Sequence, residues 1–143
     1  MNLIPNRETA YVALFNRLSG IAMLKSCTRR LKHWQDVAAE DQPALYMEHT
    51  GESASIVRGQ PARIVLEVNL WVYARSEGNP VGPVINPVLD AIGAALLPQN
   101  EGDHTLTLGG IVHHCWIEGS TQIFEGDLGE EAVAIIPVKL LVT

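Results

Sequence analysis

The stretch at residues 62–75, "ARIVLEVNLWVYAR", constrains the fold more than any other part of the chain. Ala62, Ile64, Leu66, Val68, Leu70, Val72 and Ala74 alternate without a break with Arg63, Val65, Glu67, Asn69, Trp71, Tyr73 and Arg75. On an extended backbone successive side chains point to opposite faces, so this period of two specifies a long strand with one wholly apolar face. Such a strand needs neighbours to complete its backbone hydrogen bonds and a second layer to cover its apolar side. Trp71 and Tyr73 fall on the polar side, where aromatic rings lie under the edge of a helix or meet a partner.

The last apolar run, "AVAIIPVKLLV", has the same period: Ala132, Ala134, Ile136, Val138, Leu140 and Val142 share a face. Pro137 has no N–H for a ladder, which predicts an edge or a bulge at that point. "PALYMEHT" at 43–50 reads as a third strand. A fourth is predicted over 110–118, followed by a turn at "EGST" and a short return at "QIFEG". "CTRRLKHW" is either irregular or a short edge strand. Two helices complete the pattern. Tyr11, Leu14, Phe15 and Leu18 form one stripe, with Asn6 as the cap and Gly20 as the stop. Leu89, Ile92 and Leu96 form the other, with Asn86 as the cap, Pro87 at the first helical position and Pro98 as the stop. Gly93 in its middle is expected to let the helix approach a sheet closely. The order helix, strands, helix, strands, with single-faced strands, predicts an α+β domain. Its sheet is antiparallel, of four to five strands, with two helices packed on one face. The polar segment "GESASIVRGQP" at 51–61 is longer than a hairpin turn requires and is expected to be a mobile loop joining two strands. Within it Ile56 and Val57 have no evident place in the core.

The chain has 143 residues, of which 47% are hydrophobic, enough for one core and one domain spanning 1–143. Its longest apolar region, "PVLDAIGAALLP", is broken by Asp90 and ended by Pro98, well short of the roughly 18 residues of a membrane span. The N-terminus lacks the basic and apolar pattern of a leader, so a soluble, intracellular protein is expected. The two cysteines, Cys27 and Cys115, fit a reducing compartment better than a disulfide framework. A net charge of −6 argues against a dedicated nucleic-acid binder. That charge is uneven: residues 1–35 carry six basic groups and one acid, and the remainder four basic groups and fifteen acids. Either these charges lie on unrelated solvated faces, or a basic face meets an acidic face on a neighbouring copy.

"GGIVHHCWIEG" at 109–119 is the one stretch dense in chemistry-bearing residues. On a strand, His113, Cys115 and Ile117 point one way and Val112, His114, Trp116 and Glu118 the other. His113 and Cys115 alone do not make a metal site, and Glu118 lies about 13 Å from His114 at ~3.3 Å per residue. Cys115 is expected to act as a small core hydrophobe, and the histidines as surface or hydrogen-bonded groups. The chain holds no phosphate-binding loop, no nucleophile elbow and no calcium-loop order in "EGDLGEE". Neither catalysis, a metal nor a cofactor is expected.

Read together, the N-terminal helix, "QPALYM", "LEVNLWVYA", the "LDAIGAAL" helix, "LTLGGIVHHCWIEGS" and "EGDLGEEAVAIIPVKLLV" resemble, in order and spacing, the tail terminator (tail completion) proteins of long-tailed bacteriophages and prophages. The resemblance spans nearly the whole chain and is most distinctive over 106–142. It implies a hexameric ring of α+β domains that stacks on the last ring of tail-tube protein, halts tube polymerisation and offers a surface to head-completion proteins. The genome would pass through the channel as cargo, and the protein would reside at the head-proximal end of the virion tail after synthesis in the host cytoplasm. Arg29, Arg30, Lys32, Ile56, Val57, Arg58, Trp71, Tyr73, Glu130 and Glu131 are the residues expected at contacts between copies or with the tube. The alternatives are another neck or tail-tube-like structural protein, or a small enzyme or metal-binding domain using His113, His114 or Cys115.

Overall fold

The alternating strand sits at the centre of the sheet. In the computed structural model, which describes residues 6–125 and 131–142, it forms β3 (Arg63–Arg75), following α1 (Arg7–Ser19), β1 (Ser26–Thr28) and β2 (Ala44–Ser55). After it come α2 (Gly82–Ala95), β4 (His114–Ile117), β5 (Gln122–Phe124) and β6 (Glu131–Leu141). Two single-turn helices, Trp34–Asp36 and Ala39–Asp41, lie between β1 and β2. β3 pairs antiparallel with β2 from Ser55↔Arg63 to Ala44↔Tyr73, and with β6 from Val65↔Leu141 to Arg75↔Glu131. The spatial order is β1-β2-β3-β6-β4, and β5 also pairs with β6.

The fold class is α+β, with both helices on one face. Leu66, Val68, Leu70, Val72 and Ala74 of β3 are buried there with Leu45 and Met47 of β2 and Ala134, Ile136, Val138 and Leu140 of β6. Above them lie Ala10, Tyr11, Leu14 and Leu18 of α1 and Ile85, Val88 and Ile92 of α2. Asn6 caps α1, its side chain accepting from the Thr9 N–H at 3.1 Å, as the sequence predicts.

Several expectations are corrected. The sheet is mixed, because the short edge strand β1 runs parallel to β2. Among the described residues it has six strands, but β4 and β5 occupy one lane: β4 pairs with residues 138–141 of β6 and β5 with residues 133–135. Pro137 falls in the gap between them. Its carbonyl accepts from the Glu118 N–H at 3.2 Å, so its own nitrogen faces the same way. The missing donor therefore coincides with the break in the edge lane, which explains a proline in a strand paired on both sides.

The strand predicted over 110–118 begins only at His114. Leu108, Gly109 and Gly110 all have positive φ (53°, 77° and 86°), and the N–H of Val112 returns to the Thr107 carbonyl at 3.1 Å. That tight turn consumes the first half of the apolar run. α2 starts one turn earlier than predicted, with Pro83 in its first turn and Pro87 inside. Pro87 forfeits the hydrogen bond to residue 83, and the burial of Ile85 and Val88 offsets that loss. The 51–61 connection is shorter than expected. Residues 51–55 belong to β2, paired with residues 63–67 beyond a register shift between His49 and Gly51. Backbone pairing needs no apolar alternation, so this polar stretch gave no strand signal. Only residues 56–62 remain as the connection.

Gly93 does not serve close packing, because a Cβ there would meet nothing within 4 Å. Gly93→Ala should therefore raise stability by about 0.5–1 kcal/mol, measured by urea unfolding. A loss of stability would place an unseen contact at that position.

Candidate functional site

The histidine and cysteine cluster does not converge. Cys115 is fully buried in the core, and desolvation pushes its thiol up to about 12. His113 is exposed in the turn before β4. His114 lies on the other side of the sheet, stacked on Trp116 with centroids 5.0 Å apart, and its Nδ1 accepts the Leu106 N–H at 3.1 Å. An accepting Nδ1 carries no proton, so this imidazole is committed to the backbone. His33 does likewise, capping Trp34–Asp36 by accepting the Gln35 N–H at 3.1 Å. Among the described residues no three His, Cys, Asp or Glu side chains group as metal ligands would.

The surface worth attention is the sheet face opposite the helices. The turn region between β1 and β2 covers one end of it, where Val37, Ala44, Tyr46, Tyr73 and Val133 form a second, smaller core. Tyr73, placed on the polar face by the sequence pattern, is only 2% exposed. Its hydroxyl donates to the Lys32 carbonyl at 2.7 Å, and burial raises it to about 12. The Lys32 backbone thus locks the turn region onto the sheet, while its ammonium stays at the surface. Trp71 is half-buried, and its indole N–H donates to Glu48 at 3.2 Å.

Beside this small core a groove of about 300 Å³ opens to solvent. Trp34, Trp71 and Tyr73 line one side, and Phe124, Val133 and Ile135 the other. Register assembles it: Trp71 stands opposite Ile135, and Val133 opposite both Tyr73 and Phe124. The sequence reading found Trp71 and Tyr73 but missed the rest. The signal was present in the unbroken apolar run 132–136, since a strand apolar on both sides is covered on both sides. The far half of the same face is polar, with Lys139 paired to Glu67 at 3.0 Å and Glu118 at 3.5 Å.

The remaining expected contact residues are scattered. Ile56 and Val57 stand at the tip of the β2–β3 hairpin, 80% and 52% exposed, with Arg58 exposed beside them. Arg30 is exposed after β1, but Arg29 is held within the protomer. Its guanidinium grips Glu8 at 2.7 and 2.9 Å, which depresses that carboxyl, and it lies 5.8 Å from the Tyr11 ring centre. Glu130 lies outside the described residues. Glu131 offers no surface charge, being only 2% exposed. Neither of its oxygens has a well-formed hydrogen bond among the described residues. Desolvation raises its carboxyl to about 7, against the pull of Arg75 and the Gln42 amide.

Compared with known protein families and with curated proteins, the chain matches none.

Glu131 makes stability depend on pH. Its pKa is higher in the fold, about 7, than its ordinary 4.5, so the folded state holds the proton more tightly. The stabilisation is complete below the unfolded value and is lost as pH rises through about 7. Glu131→Gln removes this dependence. Urea unfolding from pH 4 to 8 should show wild-type stability falling relative to the variant across that window. Parallel curves would mean the carboxyl is solvated.

Proposed function

We propose that this chain is a structural virion subunit: a tail terminator whose copies form a ring on the head-proximal end of a phage tail tube. The reading starts from the resemblance in element order and spacing. The observation that carries it is the sheet face opposite the helices, where an aromatic groove stands open at one end and a bare apolar hairpin tip projects at the other. Exposed apolar surface of this kind is covered by other proteins. A metal or catalytic site built on His113 and Cys115 has less support, because the thiol is buried and held protonated while His113 lies out in a turn.

The charge fits the same role. The fifteen acids of residues 36–143 give the body of the protein the sign of DNA, and a channel wall of like charge lets a duplex pass without holding it. The ring would meet tail-tube protein on one side and a head-completion protein on the other.

The test is a capping assay with the tail-tube protein of the same genome. Adding the purified protein to polymerising tube should give tubes of limited length with a ring of density at one end in negative stain. Tubes that lengthen unchecked, with the protein unbound, would overturn the assignment. A protein that binds tube ends without stopping growth would instead be another neck component.

A further inference from the structure

We propose that the β2–β3 hairpin tip of one copy seats in the aromatic groove of the next. This contact rests on the reading that copies of the chain associate. Ile56 and Val57 are the bare apolar residues of the tip, and the groove is the open apolar cleft on the helix-free face. The tip cannot fill the groove of its own chain. Arg63, at the base of the tip, and Tyr73, in the groove, are ten residues apart on one continuous strand, or about 33 Å at ~3.3 Å per residue. A tip seated in this groove therefore belongs to a second copy.

Charge selects the same pairing. Residues 53–66, which contain the tip, include Arg58 and Arg63 and no acid. Residues 33–48, whose His33 and Trp34 line the groove and whose Glu48 holds Trp71, include Asp36, Glu40, Asp41 and Glu48, while Lys32 precedes them and Arg75 lies two residues beyond Tyr73. Glu125 follows Phe124 on the opposite wall. An apolar prong flanked by arginines therefore meets an apolar socket whose flanking charges are mostly carboxylates, a balance that favours this orientation. Tip and groove are different patches at opposite ends of the β2–β3 ladder, so copies arranged head to tail make a heterologous contact, in which each gives its tip to one neighbour and receives a tip from the other. Such contacts generate a ring when the rotation closes.

Cross-linking tests this directly. In a Cys27→Ser background, with Cys115 buried, Val57→Cys and Phe124→Cys are made singly and together and treated with a short bismaleimide. Reactions are run with the protein concentrated at low salt and again on capped tubes. Circular dichroism confirms that each variant is folded. The double variant should give a ladder of covalent oligomers. The two single variants mixed should stop at a dimer, and each alone should give none. Adding Arg58→Glu should lower the yield severalfold at low salt and less at high salt, where charges are screened. A double variant that stops at a dimer would instead mean two copies exchanging tips, and would overturn the proposal. So would dimers from Val57→Cys alone, or cross-links from the tip to tail-tube protein. If the mixture gives no dimer while the wild type sediments as a closed oligomer or caps tubes, this contact is wrong and the ring reading stands. If the wild type neither assembles nor caps tubes, both fall.

Discussion

The structure depends on the pairing of one strand along nearly its whole length on both sides. β3 must present an apolar face to the helices while its backbone groups find partners on either side, and β2 and β6 supply those partners. A one-residue slip of β3 against both partners would turn Leu66, Val68, Leu70 and Val72 away from the core, and a slip in one ladder would turn away that partner's apolar residues. Burying each such side chain is worth about 1.5–3 kcal/mol, so the register is strongly held. Everything on the opposite face inherits it. Trp71 meets Ile135 because Leu70 meets Ile136 one residue earlier. The β3–β6 floor of the groove is thus a by-product of core register.

The same ladder explains what was legible in the sequence. The stripe of β3, the matching stripe of β6 and the capped α1 all reveal themselves through periodicity and end signals, and all three stand in the structure near the predicted bounds. The failures have physical causes. "GPVINP" carries two helix-start signals four residues apart, and the burial of Ile85 favours the earlier one. "LGG" before the histidines bends the chain through three left-handed residues, one of them Leu108, which sequence alone does not mark. The polar half of β2 is held by backbone pairing, which leaves no composition signal.

The site was less legible than the fold. Ile56 and Val57 could be singled out because no core position was left for them. The groove brings together Trp34 from a single-turn helix, Trp71 and Tyr73 from β3, Phe124 from β5 and Val133 and Ile135 from β6. Their adjacency is a property of strand order and register. Strand order does not follow sequence order here, since β6 lies between β3 and β4. Glu131 misled for a related reason. A charge beginning a strand after an acidic loop reads as surface, whereas Glu131 stands opposite Arg75 on the helix-free face, where Gln42 of the covering segment lies beside it and it is buried.

The size of the tip bears on how assembly would proceed. Two β-branched side chains entering an apolar groove would contribute about 3–6 kcal/mol at the usual 1.5–3 each. Surface ion pairs at the rim would add about 0.2–1 kcal/mol apiece. Association costs roughly 4–15 kcal/mol in lost translational and rotational freedom. One tip in one groove therefore does not hold a pair of copies at ordinary concentrations. A closed ring changes the balance, because the last copy to enter makes two contacts for one loss of freedom. On the proposed function, a tube end would change it further, by bringing several copies side by side. On that same reading, a contact this small would favour free protomers away from the tube and complete rings upon it, with few partial assemblies between. That behaviour would suit the proposed role at the end of a finished tail.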